Sequence, residues 1–354
     1  MIDFQHWPEA TGLLPFLKKQ SSRFEEVGCT PFEVLEEAGS LQLRKYQAPP
    51  NSKINGEAKK NPVLIIPSFI NRSFILDLLP EKSFVRHFLN EGHDVYLIDW
   101  GIPKSHEQNL SLEALLCTYL EFLYRKAQLD CGGQKVHLVG HCIGGTIALI
   151  SAILSANYFL SLTLLTAPVD FVDDDKLSRW VREPNFDNEA FVNAYGNIPW
   201  PLMQLTFLSL KPTQLWSRGL QFAKKYNDKS FMRNFTAMES WINDNVNLRS
   251  HLFLTIMIDL YQKNSIASGE MNIAGKLVDL SKTKIPVFVL ISEEDHIVPA
   301  SSHLKHEIVP KVQNFKVVSA PGGHVGALIG GRSQKTIWPS LTNWMGICEG
   351  RLND

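Results

Sequence analysis

Six short runs of β-branched and aliphatic residues punctuate the chain: PVLIIP (62–67), DVYLID (94–99), KVHLVG (135–140), LTLLTAP (162–168), PVFVLIS (286–292) and FKVVSAP (315–321). Each has the length and continuity of a strand buried on both faces, where an unbroken apolar run replaces the in–out alternation of a half-solvated strand. Between most of them lie stretches with apolar residues at helical spacing, such as SFVRHFLNEG and LEALLCTYLEFLYRKAQ. Strand alternating with helix predicts an α/β fold, a mostly parallel sheet with helices on both faces.

The alternation lapses between about 171 and 270, a stretch dense in Trp, Phe, Leu and Pro with no clear strand. Strands resume at Pro286, so this stretch predicts a helical cap inserted above the C-terminal edge of the sheet, where α/β sheets bind ligands. An ordinary helical layer extending the core is the plainer expectation. The expected organisation is an amphipathic N-terminal segment (1–35), a first core part (36–170), the cap (171–270) and a second core part (271–354). NSKINGEAKKN (51–61) predicts a polar turn leading into the first core strand. The uncharged run from Thr146 to Thr166 has the ~20 residues that would span a bilayer. Its SANYF interruption predicts instead a buried helix to about Ser155 and a strand from Leu162.

Composition narrows the function classes. With 354 residues, 44% hydrophobic and 20% charged, the chain has ordinary globular composition. A net charge of −1 with scattered Lys and Arg argues against nucleic acid as a partner. Five widely spaced cysteines, with no C-x-x-C pair, suit a reducing compartment. The N-terminal stretch is acidic where a signal peptide needs positive charge, so a cytoplasmic location is expected. No H-E-x-x-H or comparable ligand spacing occurs, so neither a metal nor another cofactor is expected.

The chemistry centres on HLVGHCIGG (137–145), where the strand run KVHLV meets the helical run TIALISAIL. Gly140-x-Cys142-x-Gly144 there has the setting of a nucleophile elbow, with cysteine in the serine position of an α/β-hydrolase fold. A free thiol, with a pKa of about 8.5, needs a base or a helix N-terminus to activate it. In this fold the acid and then the histidine follow the nucleophile on loops after late strands. PVFVLISEEDHIVP ends a strand in three acids, of which Asp295 is the candidate, Glu293 and Glu294 being expected to face solvent while remaining able to serve. FKVVSAPGGHVG ends the last strand in a glycine-rich loop that carries His324, the candidate base. His141 and His296, beside proposed catalytic residues, are read as packing or supporting side chains. The oxyanion is expected on the backbone N–H of Ile143 and on one from Ser68 to Ile70, with Phe69 the choice.

Serine in such an elbow suits ester hydrolysis, whereas a cysteine thiolate exchanges one thioester for another at little free-energy cost. An acyltransferase is favoured. FINRSFILDLLPEKSFVRHFLNEGHDVYLIDWG (69–101), the G-x-C-x-G-G box at 140–145, LLTAPVDF (164–171), EEDHIVP (293–299), and PGGHVG (321–326) followed by WPSLTNWM (338–345) together resemble polyhydroxyalkanoate synthases. The resemblance runs from about residue 35 to the C-terminus and implies polymerisation of (R)-3-hydroxyacyl-CoA into polyester with release of CoA. It maps a Cys-Asp-His set onto Cys142, Asp295 and His324. Histidine would deprotonate the cysteine, and the aspartate would either activate a chain hydroxyl or orient His324. The chain is short and resembles the catalytic subunit of two-component synthases, which implies an accessory subunit, a homodimer and work at the polyester granule surface. His141 and Ile143, flanking the nucleophile, depart from the closest such pattern.

Two other readings use the same residues. A cysteine-dependent thioesterase or polyester depolymerase would hand the acyl group to water. A non-catalytic protein coating hydrophobic granules would have no use for the triad residues.

Overall fold

In the computed structural model the described residues are 26–48, 60–171, 176–181 and 186–351. Their strands are β1 (Phe32–Ala38), β2 (Leu41–Tyr46), β3 (Val63–Ile66), β4 (Val95–Asp99), β5 (Val136–His141), β6 (Phe159–Leu165), β7 (Asn272–Ile273), β8 (Lys276–Leu277), β9 (Val287–Ser292) and β10 (Phe315–Ala320). Eight of them form one sheet in the order β1-β2-β4-β3-β5-β6-β9-β10, and β7 pairs with β8 alone. From β4 through β10 every pairing in the large sheet is parallel. Each residue of β3, β4 and β5 is buried, which explains why these strands read as unbroken apolar runs.

β1 and β2 add an antiparallel edge to β4. β1 is largely exposed and carries Glu33, Glu36 and Glu37, so no apolar run marks it. The expected boundary at 35 falls inside β1, which ladder hydrogen bonds join to β2. Residues 1–25 of the expected amphipathic segment, and most of the expected polar turn, lie outside the described residues.

Helices cover both faces. On one side are the composite α2 (Leu112–Ala114, π-helical Leu115–Leu120, Glu121–Asp130) and α3 (Ile143–Leu154); on the other are α1 (Phe84–Asn90), α10 (Gly326–Ile329) and α11 (Gly331–Cys348). Side chains alternate between the layers as strand geometry requires: Leu64, Tyr96 and Leu138 face α2 and α3, while Ile65, Leu97 and Val139 face α1 and α11. The uncharged run resolves into α3, ending at Leu154, and β6, which starts at Phe159, three residues before the expected Leu162. Among the described residues no helix is long and apolar enough to cross a membrane.

Between β6 and β7 the described residues form the helices α4 (Lys176–Val181), α5 (Asn188–Tyr195), α6 (Trp200–Leu210), α7 (Thr213–Lys225), α8 (Lys229–Asn243), and α9 (Ser250–Leu254 continued by π-helical Thr255–Gln262). The buried Arg249 ties this segment to the core, its Nη2 donating to the Trp100 carbonyl at 3.1 Å and to Ser40 Oγ, with Glu107 beside it.

Candidate active site

Cys142 stands alone between the end of β5 and the start of α3, with φ +56° and ψ −135°. A non-glycine residue held in such a conformation costs about 1–3 kcal/mol and persists only where surrounding bonds over-determine it. Here they do. The Cys142 N–H donates to the Leu165 carbonyl at 3.0 Å, and the Gly145 N–H donates to the Cys142 carbonyl at 2.8 Å. The turn also needs bare backbone beside it: a Cβ on Gly144 would lie 2.2 Å from the Pro67 carbonyl oxygen, and one on Gly140 would lie 2.4 Å from the Gly145 Cα. The first helical residues can therefore sit directly against the end of β3, with the sulfur projecting above the sheet.

Asp295 and His324 reach the same place from the ends of β9 and β10. Their loops are clamped together by Glu293 N–H to Ala320 O (3.0 Å), Glu294 N–H to Gly322 O (3.1 Å) and Ser292 Oγ to Gly322 O (2.5 Å). Gly322, at φ +99°, supplies the backbone turn that a side-chain-bearing residue resists. His324 Nδ1 lies 2.6 Å from Asp295 Oδ2. The other carboxylate oxygen, Oδ1, accepts the N–H groups of Ile297 (2.9 Å) and Val298 (3.0 Å). Glu293 and Glu294 are exposed and outside this set.

The electrostatics follow from these contacts. Burial works to raise the Asp295 carboxyl, but the His324 hydrogen bond and charge, with the two N–H groups, hold it below the usual carboxylate range. Burial works to lower the His324 imidazole, but the Cys142 sulfur and Asp295 outweigh it and raise its pKa. His324 Nε2 is buried without a hydrogen bond of standard geometry, and Cys142 is the group that raises it most. The arrangement is a thiol, an imidazole that readily carries a proton, and a carboxylate that fixes the imidazole's tautomer.

Ile143, whose N–H would hold an oxyanion, is the first residue of α3. In the loop after β3, Trp100 Nε1 donates to the Pro67 carbonyl (2.9 Å), and the Phe69 ring packs edge-on to the Trp100 ring at 5.4 Å. The Ile70 N–H is engaged by Ser68 Oγ at 3.2 Å, which leaves Ser68 and Phe69 as the candidates of that loop.

A cavity of about 590 Å³ is lined by Cys142, by Ile143 at the start of α3, by Ile70 from the loop after β3, and by apolar side chains of the helical segment, among them Met203, Phe191 and Met257. These helix positions are not legible as a site, because an apolar lining reads as ordinary core. The π-helical turns of α9 contribute Ile256, Met257 and Tyr261. Among the described residues no group of three or more His, Cys, Asp and Glu side chains is arranged to hold a metal ion. His141 lies against His324, a contact that adjacency to Cys142 does not suggest; strand alternation in β5 is the signal that predicts its face.

Comparison with known proteins places the chain in a family. A model described as the alpha/beta hydrolase fold covers residues 61–330. One described as the poly-beta-hydroxybutyrate polymerase (PhaC) N-terminus covers residues 16–88. The poly(3-hydroxyalkanoate) polymerase subunit PhaC of Allochromatium vinosum is 31% identical over 322 residues, which is 90% of this chain and 89% of that protein. The chain belongs to the poly(3-hydroxyalkanoate) polymerase family. The subunits of Synechocystis (33% identity; 90% of this chain, 85% of that one) and Haloferax mediterranei (30%; 97% and 70%) are similar to it as well. Among solved structures, a Pseudomonas aeruginosa hydrolase (TM-score 0.53, 15% identity, 90% of this chain, 99% of that one) and a Thermogutta terrifontis esterase (0.53, 13%, 90% and 98%) share the fold. This polymerase family member thus carries Cys142, Asp295 and His324 on three loops at one edge of an α/β-hydrolase core.

Proposed function

We propose that the protein is a polyhydroxyalkanoate synthase catalytic subunit, which polymerises (R)-3-hydroxyacyl-CoA through a cysteine acyl-enzyme and releases CoA. The observation that carries this reading is a cysteine, rather than a serine, at a strained elbow beside the Asp295-bound His324 and an apolar cavity.

In this mechanism the Cys142 proton passes to His324 Nε2, and the thiolate attacks the thioester carbonyl. The N–H groups of Ile143 and Phe69 hold the oxyanion. The C–S bond to CoA breaks, and the CoA sulfur takes the proton from His324. The 3-hydroxyl of another 3-hydroxyacyl-CoA then attacks the Cys142-bound carbonyl and gives its proton to His324. An ester C–O bond forms and Cys142 leaves, recovering the proton. The lengthened thioester re-acylates Cys142, releasing CoA. Asp295 is fully buried with both oxygens engaged, which supports a role in orienting His324 over one as the hydroxyl's base.

The helical segment acts as a cap over this site, and its apolar lining supports exclusion of water, which separates a polymerase from a thioesterase or depolymerase. The relatives' description as a polymerase subunit supports an accessory partner for this chain. A homodimer at the surface of cytoplasmic polyester granules, with no resident cofactor, completes the proposal.

The test is CoA release from (R)-3-hydroxybutyryl-CoA by the wild type and by Cys142→Ala, with polymer and free 3-hydroxybutyrate assayed in the same tube, alone and with candidate accessory subunits. Release with polymer, reduced at least about 10⁴-fold in the variant, is expected. Cys142-dependent release yielding only free acid would make the protein a thioesterase. Silence with every partner and acyl length would leave the non-catalytic reading.

A further inference from the structure

β5 brings two consecutive side chains to the catalytic edge of the sheet. Cys142 projects from the elbow. His141, the last strand residue, pairs with Leu165 of β6. Strand alternation sends Val139 and His141 to the face that α1 and α11 cover, the side on which the loop before α10 carries His324. The His141 and His324 rings pack with centroids 5.6 Å apart and planes at 38°.

The position is an unfavourable one for an imidazole. His141 is 3% exposed, and neither ring nitrogen has a hydrogen-bond partner among the described residues. A buried polar ring without partners loses its hydration with no compensating bond, whereas an apolar side chain of similar size would pack there without that loss. Burial, and then the neighbouring His324 charge, push the His141 pKa down to about 3. His141 therefore stays neutral across the working pH range and is unsuited to act as the base itself. What it offers His324 is an uncharged aromatic wall.

We infer that His141 is a positioning residue for acyl transfer, its ring backing the His324 imidazole so that Nδ1 stays on Asp295 and Nε2 faces Cys142. The inference rests on the Cys142–His324–Asp295 reading. It deepens that reading by assigning a role to one of the two residues, His141 and Ile143, at which the elbow departs from the family resemblance. The titratable groups around His324 are Cys142 at the elbow, Asp295 after β9, His141 on β5, and His296 and His303 beyond Asp295, with Lys211 of the cap acting on His296. His296 and His303 are likewise lowered, chiefly by burial, so the charges that matter belong to Cys142, Asp295 and His324.

The sign of the effect follows. The His324 pKa is raised by contacts to Cys142 and Asp295 that need a fixed ring. A ring free to tilt loses part of both, its pKa falls back toward the ordinary imidazole value, and the protonated form gives way at lower pH.

The experiment measures Cys142 alkylation by iodoacetamide as a function of pH, without substrate, resolved from the other four cysteines by peptide mass spectrometry. CoA release is measured in parallel on the wild type, His141→Ala and His141→Phe, each checked for folding by circular dichroism. In His141→Ala we expect kcat to fall about 10- to 100-fold with KM little changed, as for other losses of alignment. The alkaline limb of the CoA-release pH profile should move down by about half a pH unit or more, and the rising limb of Cys142 alkylation should move up, because a less well-held imidazolium supports the thiolate less. His141→Phe, which restores a ring without nitrogens, should recover most of both. Wild-type kcat and profile in the Ala variant would overturn the inference and leave His141 as filler; if Ala fails to fold, a folded Phe variant with kcat reduced about 10-fold or more would overturn it by assigning the effect to the ring nitrogens. Wild-type Cys142 reacting no faster than the other cysteines would overturn the catalytic reading itself, and the inference with it.

Discussion

β5 carries a histidine at each end, and the two make a controlled comparison. His137 and His141 lie on the same strand and the same face, and both are buried. His137, at the lower edge of the sheet, is bonded at both nitrogens: Nδ1 lies 2.7 Å from Ser161 Oγ, and Nε2 lies 3.2 Å from Glu349 Oε1. Glu349 Oε1 also accepts the Asn61 N–H at 2.8 Å, and Oε2 lies 2.8 Å from Arg351 Nε. His141, at the upper edge, has no partner at either nitrogen among the described residues. Backbone strain follows the same division. Cys142 and Thr166, at the upper ends of β5 and β6, have positive φ, and among the described residues no non-glycine residue at the lower ends of these strands does. A residue type does not by itself say whether it locks a fold or serves a site; the hydrogen-bond inventory around it does.

Breaking each end should have opposite consequences. The largest effect is expected at the upper end from Asp295→Asn, which leaves the shape but removes the charge that fixes the His324 tautomer. CoA release should fall by about 10²- to 10⁴-fold. The carboxylate is one of the groups that raise the His324 pKa, so the alkaline limb of activity should also move to lower pH. Stopped-assay pH profiles of kcat would read both, and an unchanged profile would argue that Asp295 acts elsewhere.

Gly144→Ala should come next. Its added Cβ meets backbone carbonyls of Pro67 and Ile66 that have no flexible end to yield. A stability loss of about 1–3 kcal/mol in urea unfolding is expected. The loss of activity at temperatures where the variant is still folded should be larger than unfolding accounts for, because the same clash displaces the elbow.

At the lower end, Glu349→Gln should reverse the pattern, with kcat unchanged and stability reduced by about 1–3 kcal/mol. Burial works to raise the Glu349 carboxyl, but the His137 hydrogen bond and charge, with the Asn61 N–H, hold it below the usual range. A depressed carboxylate stabilises the fold above its ordinary pKa and loses that contribution as pH falls through the folded value. The gap between wild type and Glu349→Gln in denaturant midpoint should therefore narrow on the acid side. A variant that lost kcat instead would show that the two ends of β5 are coupled.

Much of the upper end is legible in the order of residues along the chain. The spacing of Gly140, Cys142 and Gly144 between a strand run and a helix run encodes a turn that needs bare backbone on both sides, and His324 follows two glycines for a similar reason. Position alone favours Asp295 over Glu293 and Glu294, and the structure pairs Asp295 with His324 while leaving the two glutamates exposed. The exposed edge strand β1 is not legible because it has no apolar run, and the cavity lining is not because Met203 or Phe191 looks the same in a core as in a pocket.

The sequence by itself determined the six core strands, the elbow and the loops that carry acid and base, since each is written within a few neighbouring residues as periodicity or turn freedom. Only the tertiary structure decided that His141 lies against His324, that both Asp295 oxygens are engaged, and that Glu349 closes a network on His137 from 212 residues away. These depend on strand order and on loops meeting across the sheet. The free energy of such contacts is set by which distant groups become neighbours, a quantity no local window of sequence contains.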